Sequence, residues 1–122
     1  MITPGIKKLI ENNALGLATV DKNGKPHNIA VAYVKVEGDY LIISNAHIFE
    51  SIKNIENNSN VSLVIWNKGW ETACVGFEII GKAKNYTKGK WFDYVCNLED
   101  NEGYKILSAI VVKVTKIKKL LS

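Results

Sequence analysis

The chain has 122 residues, 47% of them apolar, a size that fits one domain with one core. No apolar run approaches the roughly 20 residues that a membrane-spanning helix needs, and no apolar stretch follows the first lysines as a signal peptide requires, so the expected location is cytoplasmic. The net charge is +4, and all 16 basic residues are lysines, which leaves no planar bidentate clamp for phosphate or guanine. The lysines are scattered along the sequence apart from Lys116, Lys118 and Lys119. That scatter argues for a solvated surface and against nucleic acid as the partner.

Thr3-Pro4 is a helix start: a hydroxyl N-cap, then proline at the first helical position. Ile6, Leu9 and Ile10 continue it as an apolar stripe, and Asn12-Asn13 stops it. Leu15 to Val20 reads as a strand. Residues 21–25, with Asn23-Gly24 supplying positive φ angles, make a hairpin loop. Pro26 to Val36 reads as one long second strand, with Ile29, Val31, Tyr33 and Lys35 on one face. Glu37-Gly38-Asp39 turns the chain into a third strand, Tyr40 to Ser44.

The stretch that follows is the centre of the sequence. Asn45-Ala46-His47 forms a polar elbow. Phe49, Ile52 and Ile55 then repeat at helical spacing, until Asn57 to Asn60 ends the helix. A strand that delivers its end onto a helix start gathers free N–H groups and the helix dipole at one point, which suits an anion such as phosphate. The same pattern also fits a helix that merely caps a barrel.

Val61 to Trp66 is the fourth strand, and Asn67-Lys68-Gly69 a turn. A fifth strand lies within Thr72 to Tyr86. Gly76 and Gly81 inside it signal a bulge, a bend, or close approach of a ligand or another backbone. Lys88 to Leu98 predicts a helix with Trp91, Tyr94, Val95 and Leu98 on one face, and Ile106 to Ile117 a sixth strand. Six strands and a few short helices predict a mainly β fold, a small antiparallel barrel.

Chemical motifs are sparse. There is no GxSxG, HExxH or P-loop. Cys74 and Cys96 are far apart and form no CxxC, so both are expected to be buried reduced thiols, and no metal-ligand spacing is present. Of the two histidines, His47 in the elbow is better placed to touch a ligand than His27.

Three motifs in order carry a resemblance. They are Gly16-Leu17-Ala18-Thr19-Val20-Asp21 with Gly24-Lys25-Pro26-His27, then Ser51-Ile52-Lys53-Asn54-Ile55-Glu56-Asn57-Asn58 with Val61-Ser62-Leu63, then Val75-Gly76-Phe77-Glu78-Ile79-Ile80-Gly81-Lys82-Ala83. Together they resemble the pyridoxamine 5′-phosphate oxidase-like FMN-binding split-barrel superfamily, and within it the small single-domain FMN-binding proteins. The resemblance implies a six-stranded antiparallel split barrel over the whole chain, with bound FMN as cofactor. The flavin would lie against Asn28, Ile29, Ala30 and Val31. The FMN tail would reach Ser44, Asn45 and Ala46, and the phosphate would meet the start of the central helix, at Glu50 and Ser51. Family members often carry a basic residue where this chain has Glu50, so Lys53 or Lys35 would have to supply positive charge.

The resemblance also implies a homodimer with the flavin near the interface. Trp70 and Tyr104 would serve as partner-side walls, Gly76 would allow close approach to the ring, and Trp66 would be ordinary core or rim packing. The implied function is electron or hydride transfer with an unknown redox partner or substrate, and no side chain is assigned as catalytic. The alternative is a non-enzymatic binding module for another cofactor, flavin-like or haem, motivated by Glu50.

Overall fold

The computed structural model describes residues 1–69, 73 and 75–120. Three helices, α1 (Pro4–Glu11), α2 (Glu50–Asn57) and α3 (Lys90–Cys96), accompany seven strands: β1 (Leu15–Val20), β2 (Pro26–Val31), β3 (Lys35–Glu37), β4 (Tyr40–Asn45), β5 (Asn60–Trp66), β6 (Gly76–Tyr86) and β7 (Ser108–Lys119). All pairings are antiparallel, in the order β2-β1-β5-β6-β7-β4-β3. One apolar cluster takes side chains from every strand, including Leu17, Val31, Val36, Ile43, Leu63, Ile79 and Val112. A sheet whose strands all feed one core must curl around it, so β2 and β3, the two ends of the order, become the lips of a split.

The expected mainly β architecture is present, with one more strand than expected. The predicted second strand breaks into β2 and β3 at Tyr33, which takes φ = 56°. An aromatic residue rarely adopts that angle, because its Cβ crowds the backbone. The break shifts the alternation by one residue. Val31 points into the core before it, and Val34 and Val36 point in after it, so Tyr33 is 65% exposed rather than on the inner face. At the hairpin, Gly24 alone takes a positive φ, and the Asp21 carboxylate accepts N–H bonds from Asn23 and Lys25.

Helix α1 starts as expected: Thr3 Oγ1 accepts from Ile6 N, and Ile10 is fully buried. Helix α2 departs from expectation. Phe49 is 70% exposed at the N-cap position, and the buried side is Ser51, Asn54 and Ile55, with Ile52 partly covered. Asn54 Nδ2 donates to Thr19 Oγ1 at 3.0 Å, a buried bond that ties the helix to β1. Helix α3 lays Val95, Trp91, Tyr94 and Leu98 on the outer side of the sheet over Ile42, Ala109 and Val111, as its pattern predicted. Burial, helped by its bond to Glu37, pushes the Tyr94 hydroxyl up to about 12.

Cys96 corrects a further expectation. It is exposed, because it ends α3 on the side away from Val95. Of the readings left open for Gly81, a bulge is present, as a register shift between Ile80 and Gly81 against β7, and so is close approach of another backbone. A Cβ at residue 81 would stand 2.4 Å from the Lys113 carbonyl oxygen, so only glycine fits. Trp66 is a rim residue, 48% exposed. Trp70, Cys74 and the expected strand start at Thr72 lie outside the described residues. Among the described residues no helix is long and apolar enough to cross a membrane.

Candidate functional site

Two adjoining grooves lie along β2, the end of β4 and the start of α2. The first, about 480 Å³, is lined by His27, Ile29 and Ala30 from β2 and by residues 47–51. The second, about 370 Å³, is lined by Ala32 and Tyr33, by Ser44 and Ala46, and by Asp100, Asn101, Tyr104 and Ile106. Their linings are neighbours in the chain, Ala30 and Ala32 on one side, Ala46 and His47 on the other. Both volumes suit a small-molecule ligand.

The elbow between β4 and α2 is shaped by Asn45. This residue is buried: its Nδ2 donates to Ser108 Oγ at 2.9 Å, and its Oδ1 accepts from Ile48 N at 2.6 Å. That closed turn presents Ala46 to one groove and His47 to the other. Asn101 fixes the far wall by donating to Ser44 Oγ at 2.7 Å and to the Val95 carbonyl oxygen at 2.8 Å.

The start of α2 is the polar end of the first groove. Phe49 at the N-cap offers no side-chain acceptor, so no side chain caps the first turn. Ser51 is 1% exposed, and its Oγ has no hydrogen-bond partner among the described residues. A buried hydroxyl without a partner is costly, and a ligand oxygen is the kind of group that relieves it. Glu50 lines the same groove: its carboxylate is 71% exposed, with Oε2 3.6 Å from His27 Nδ1. A protonated His27 would partly neutralise it. The residues therefore fit a phosphate through Ser51 and the helix N-terminus, with a carboxylate at the edge.

The sequence-predicted positions divide accordingly. Ile29, Ala30, His47, Glu50 and Ser51 line the first groove, and Ser44, Ala46 and Tyr104 the second. Tyr104 is 67% exposed. Asn28 lies on the outer face of the sheet beside Gly16 and Val64, and Val31 is in the core. Lys53 is exposed one turn along α2. Lys35 is paired with Asp100 at 2.7 Å, on the second groove. Gly76 sits where a Cβ would meet Leu120 at 2.8 Å and the Ile65 carbonyl oxygen at 3.1 Å, so the chain itself fills that space.

Sequence reasoning gave no site role to Ala32, Tyr33, Ile48, Phe49 or Asn101, and it set His27 aside. For His27 the signal was available: it shares strand parity with Ile29 and Val31, the face that α2 covers. Asn101 and Tyr33 reach the groove through a 3-10 turn and a backbone break, and neither follows from residue spacing.

The chain resembles known proteins over nearly its whole length. Uncharacterized protein MJ0282 of Methanocaldococcus jannaschii is 26% identical over 126 residues, covering 99% of this chain and 82% of that protein. Among solved structures, HupZ of Group A Streptococcus superposes with a TM-score of 0.90 at 22% identity, covering 100% of this chain and 96% of that one. An FMN-binding protein from Syntrophomonas wolfei superposes at 0.79 and 15% identity, covering 95% and 84% of the two chains. The heme storage protein HutZ from Vibrio cholerae does so at 0.71 and 17%, covering 97% and 94%. These neighbours share the split-barrel fold. The sequence profile of the family described as Pyridoxamine 5′-phosphate oxidase matches residues 2–120. Matched from the first helix to the end of the last strand, the chain belongs to the pyridoxamine 5′-phosphate oxidase-like family of split barrels.

Proposed function

We propose that this chain is an FMN-binding flavoprotein that transfers electrons or hydride, working as a homodimer with the flavin near the interface. The observation that carries the reading is the buried, unpartnered Ser51 hydroxyl at the uncapped start of α2. Ser51 Oγ and the first-turn N–H groups of α2 would hold the phosphate. Ala30 and Ile29 would form the apolar wall under the ring, and Ser44 with Asn101 a polar edge along the tail. FMN, when bound, supplies the redox chemistry, and the chain's part is to orient it and exclude water. No side chain in either groove is assigned a proton-transfer role. The exposed Tyr104 and Tyr33 rings support a partner subunit closing over the second groove.

A second reading has its own observation. His27 and His47 line the same groove, with the Glu50 carboxylate at its mouth. Imidazoles are haem-iron ligands, and the structural neighbour HutZ is a heme storage protein. A non-enzymatic haem module is therefore the competing occupant. An absorbance spectrum of freshly purified protein, followed by denaturation and identification of the released chromophore, separates the two. Released FMN supports the flavoprotein; released haem overturns it in favour of the module. A colourless protein that takes up neither added FMN nor haem removes both. Sedimentation at several concentrations tests the dimer.

A further inference from the structure

The lysines that are scattered in the sequence are gathered by the strand register. Residues paired across β6 and β7 point to the same side of the sheet. Ile79 with Ile117, Gly81 with Val114 and Ala83 with Val112 face the core. The intervening pairs, Glu78 with Lys118, Ile80 with Lys116, Lys82 with Lys113 and Lys84 with Val111, face outward. Uniform alternation along β7 would put Lys116 and Lys118 on the same face as Val112 and Val114, inside. The bulge at Ile80/Gly81 leaves Thr115 unpaired and reverses the phase, and Thr115 Oγ1 donates to the Ile80 carbonyl oxygen at 3.2 Å.

The result is an exposed strip of five lysines, 82, 84, 113, 116 and 118, starting where α3 stops covering the sheet. Lys82 and Lys113 stand directly opposite each other, an arrangement that works against the fold. Among the described residues one carboxylate shares the strip, Glu78, and it accepts from Ser62 Oγ at 2.8 Å. The nearby Asp39 faces the N-terminal amine at 3.7 Å.

We propose that this outer face of β6 and β7 docks an acidic protein surface. Five point charges in two rows about 5 Å apart fit carboxylates on a facing protein. Ile80, half-buried among the lysine stems, gives the strip an apolar centre. The chain has no arginine for bidentate phosphate contacts. Trp66, an exposed ring on this face, lies at the opposite end of β5 from Lys82, and the rings beside the lysines, Tyr86 under Lys84 and Tyr40 opposite Lys113, are half-buried in the cluster under α3 and do not stand free for base stacking. A second copy of the chain would set lysine against lysine.

The test is fluorescence anisotropy with labelled poly-L-glutamate at low and high salt, using the full chain. The variant carries Lys84→Glu, Lys113→Glu and Lys116→Glu. A control carries Lys7→Glu, Lys8→Glu and Lys22→Glu, the same change in net charge at exposed positions elsewhere. The expected result is salt-sensitive binding by the unaltered chain, at least about ten-fold weaker for the strip variant and within about two-fold for the control. Equal losses in both variants would show that net charge alone attracts the probe and would overturn the proposal. So would absence of binding at low salt, or tighter binding of a duplex or single-stranded oligonucleotide lost in the same strip variant. A thermal melt establishes that each variant is folded, and Lys→Gln replacements at the same three positions repeat the test if the glutamates unfold the chain. None of these readouts depends on a bound cofactor.

Discussion

Helices α1 and α2 have the same length, eight residues, and each anchors on a buried isoleucine, Ile10 or Ile55. Their beginnings differ. Helix α1 closes its own end: Thr3 accepts an N–H from the first turn, and proline removes another donor. Helix α2 starts on Phe49 without a side-chain cap and buries a serine hydroxyl that nothing among the described residues satisfies. Helix α3 also starts without a side-chain cap, on Gly89, so it is the buried, unpartnered Ser51 hydroxyl that sets α2 apart. The open end of α2 gives up local stability, and the place where it does so is the mouth of a groove.

The largest test asks whether the two helices are equally anchored. Ile10→Ala and Ile55→Ala should each destabilise the chain by about 2–5 kcal/mol, read from denaturant midpoints. A much smaller loss at Ile55 would make α2 a loosely held element and weaken the contrast. Ser51→Ala should act with two signs. FMN affinity should drop by about 1 kcal/mol, roughly five-fold, while the cofactor-free chain gains about 1 kcal/mol of stability because a buried unsatisfied hydroxyl is gone. Isothermal titration and a melt of the same sample read both quantities, and a loss in both would mean that Ser51 is a structural residue. Thr3→Ala should cost about 0.5–1 kcal/mol of stability and leave FMN affinity unchanged. The smallest effect is expected from Glu50→Lys, which should tighten FMN by about 0.5 kcal/mol through the helix end. Unchanged affinity would mean that the carboxylate, already 71% exposed beside His27, does not face the phosphate.

These contrasts mark what was readable from the sequence. The start of α1, the β1–β2 hairpin and the face of α3 were legible, because each depends on residues close in the chain. Gly81 left a bulge, a bend or a close approach open, and the choice among them is made by its pairing with a distant strand. The break at Tyr33 was not, since a positive φ at an aromatic residue is imposed by the surrounding fold and no local propensity announces it. Phe49 looked like part of the apolar stripe of α2, but the helix begins one residue later and its buried side is set by Ser51 and Asn54. The Asn54–Thr19 bond that holds this side joins residues 35 positions apart. The groove positions on β2 and α2 came from family resemblance, and the structure brings several of them together. Asn101 and the lysine strip needed the three-dimensional register, which single-sequence spacing does not contain.

The bulge in β7 also bears on how the chain can change in length. Insertions and deletions are usually absorbed in loops, where no alternation has to be kept. Here one residue of length is written into the middle of a strand, at Thr115. Deleting it would join Val114 directly to Lys116 and make the Gly81–Val114 and Ile80–Lys116 pairs consecutive, a regular ladder with Lys116 and Lys118 still outside and Ile117 still inside. The last strand can therefore lose one residue at the bulge and keep both of its faces, which an unbulged strand cannot do.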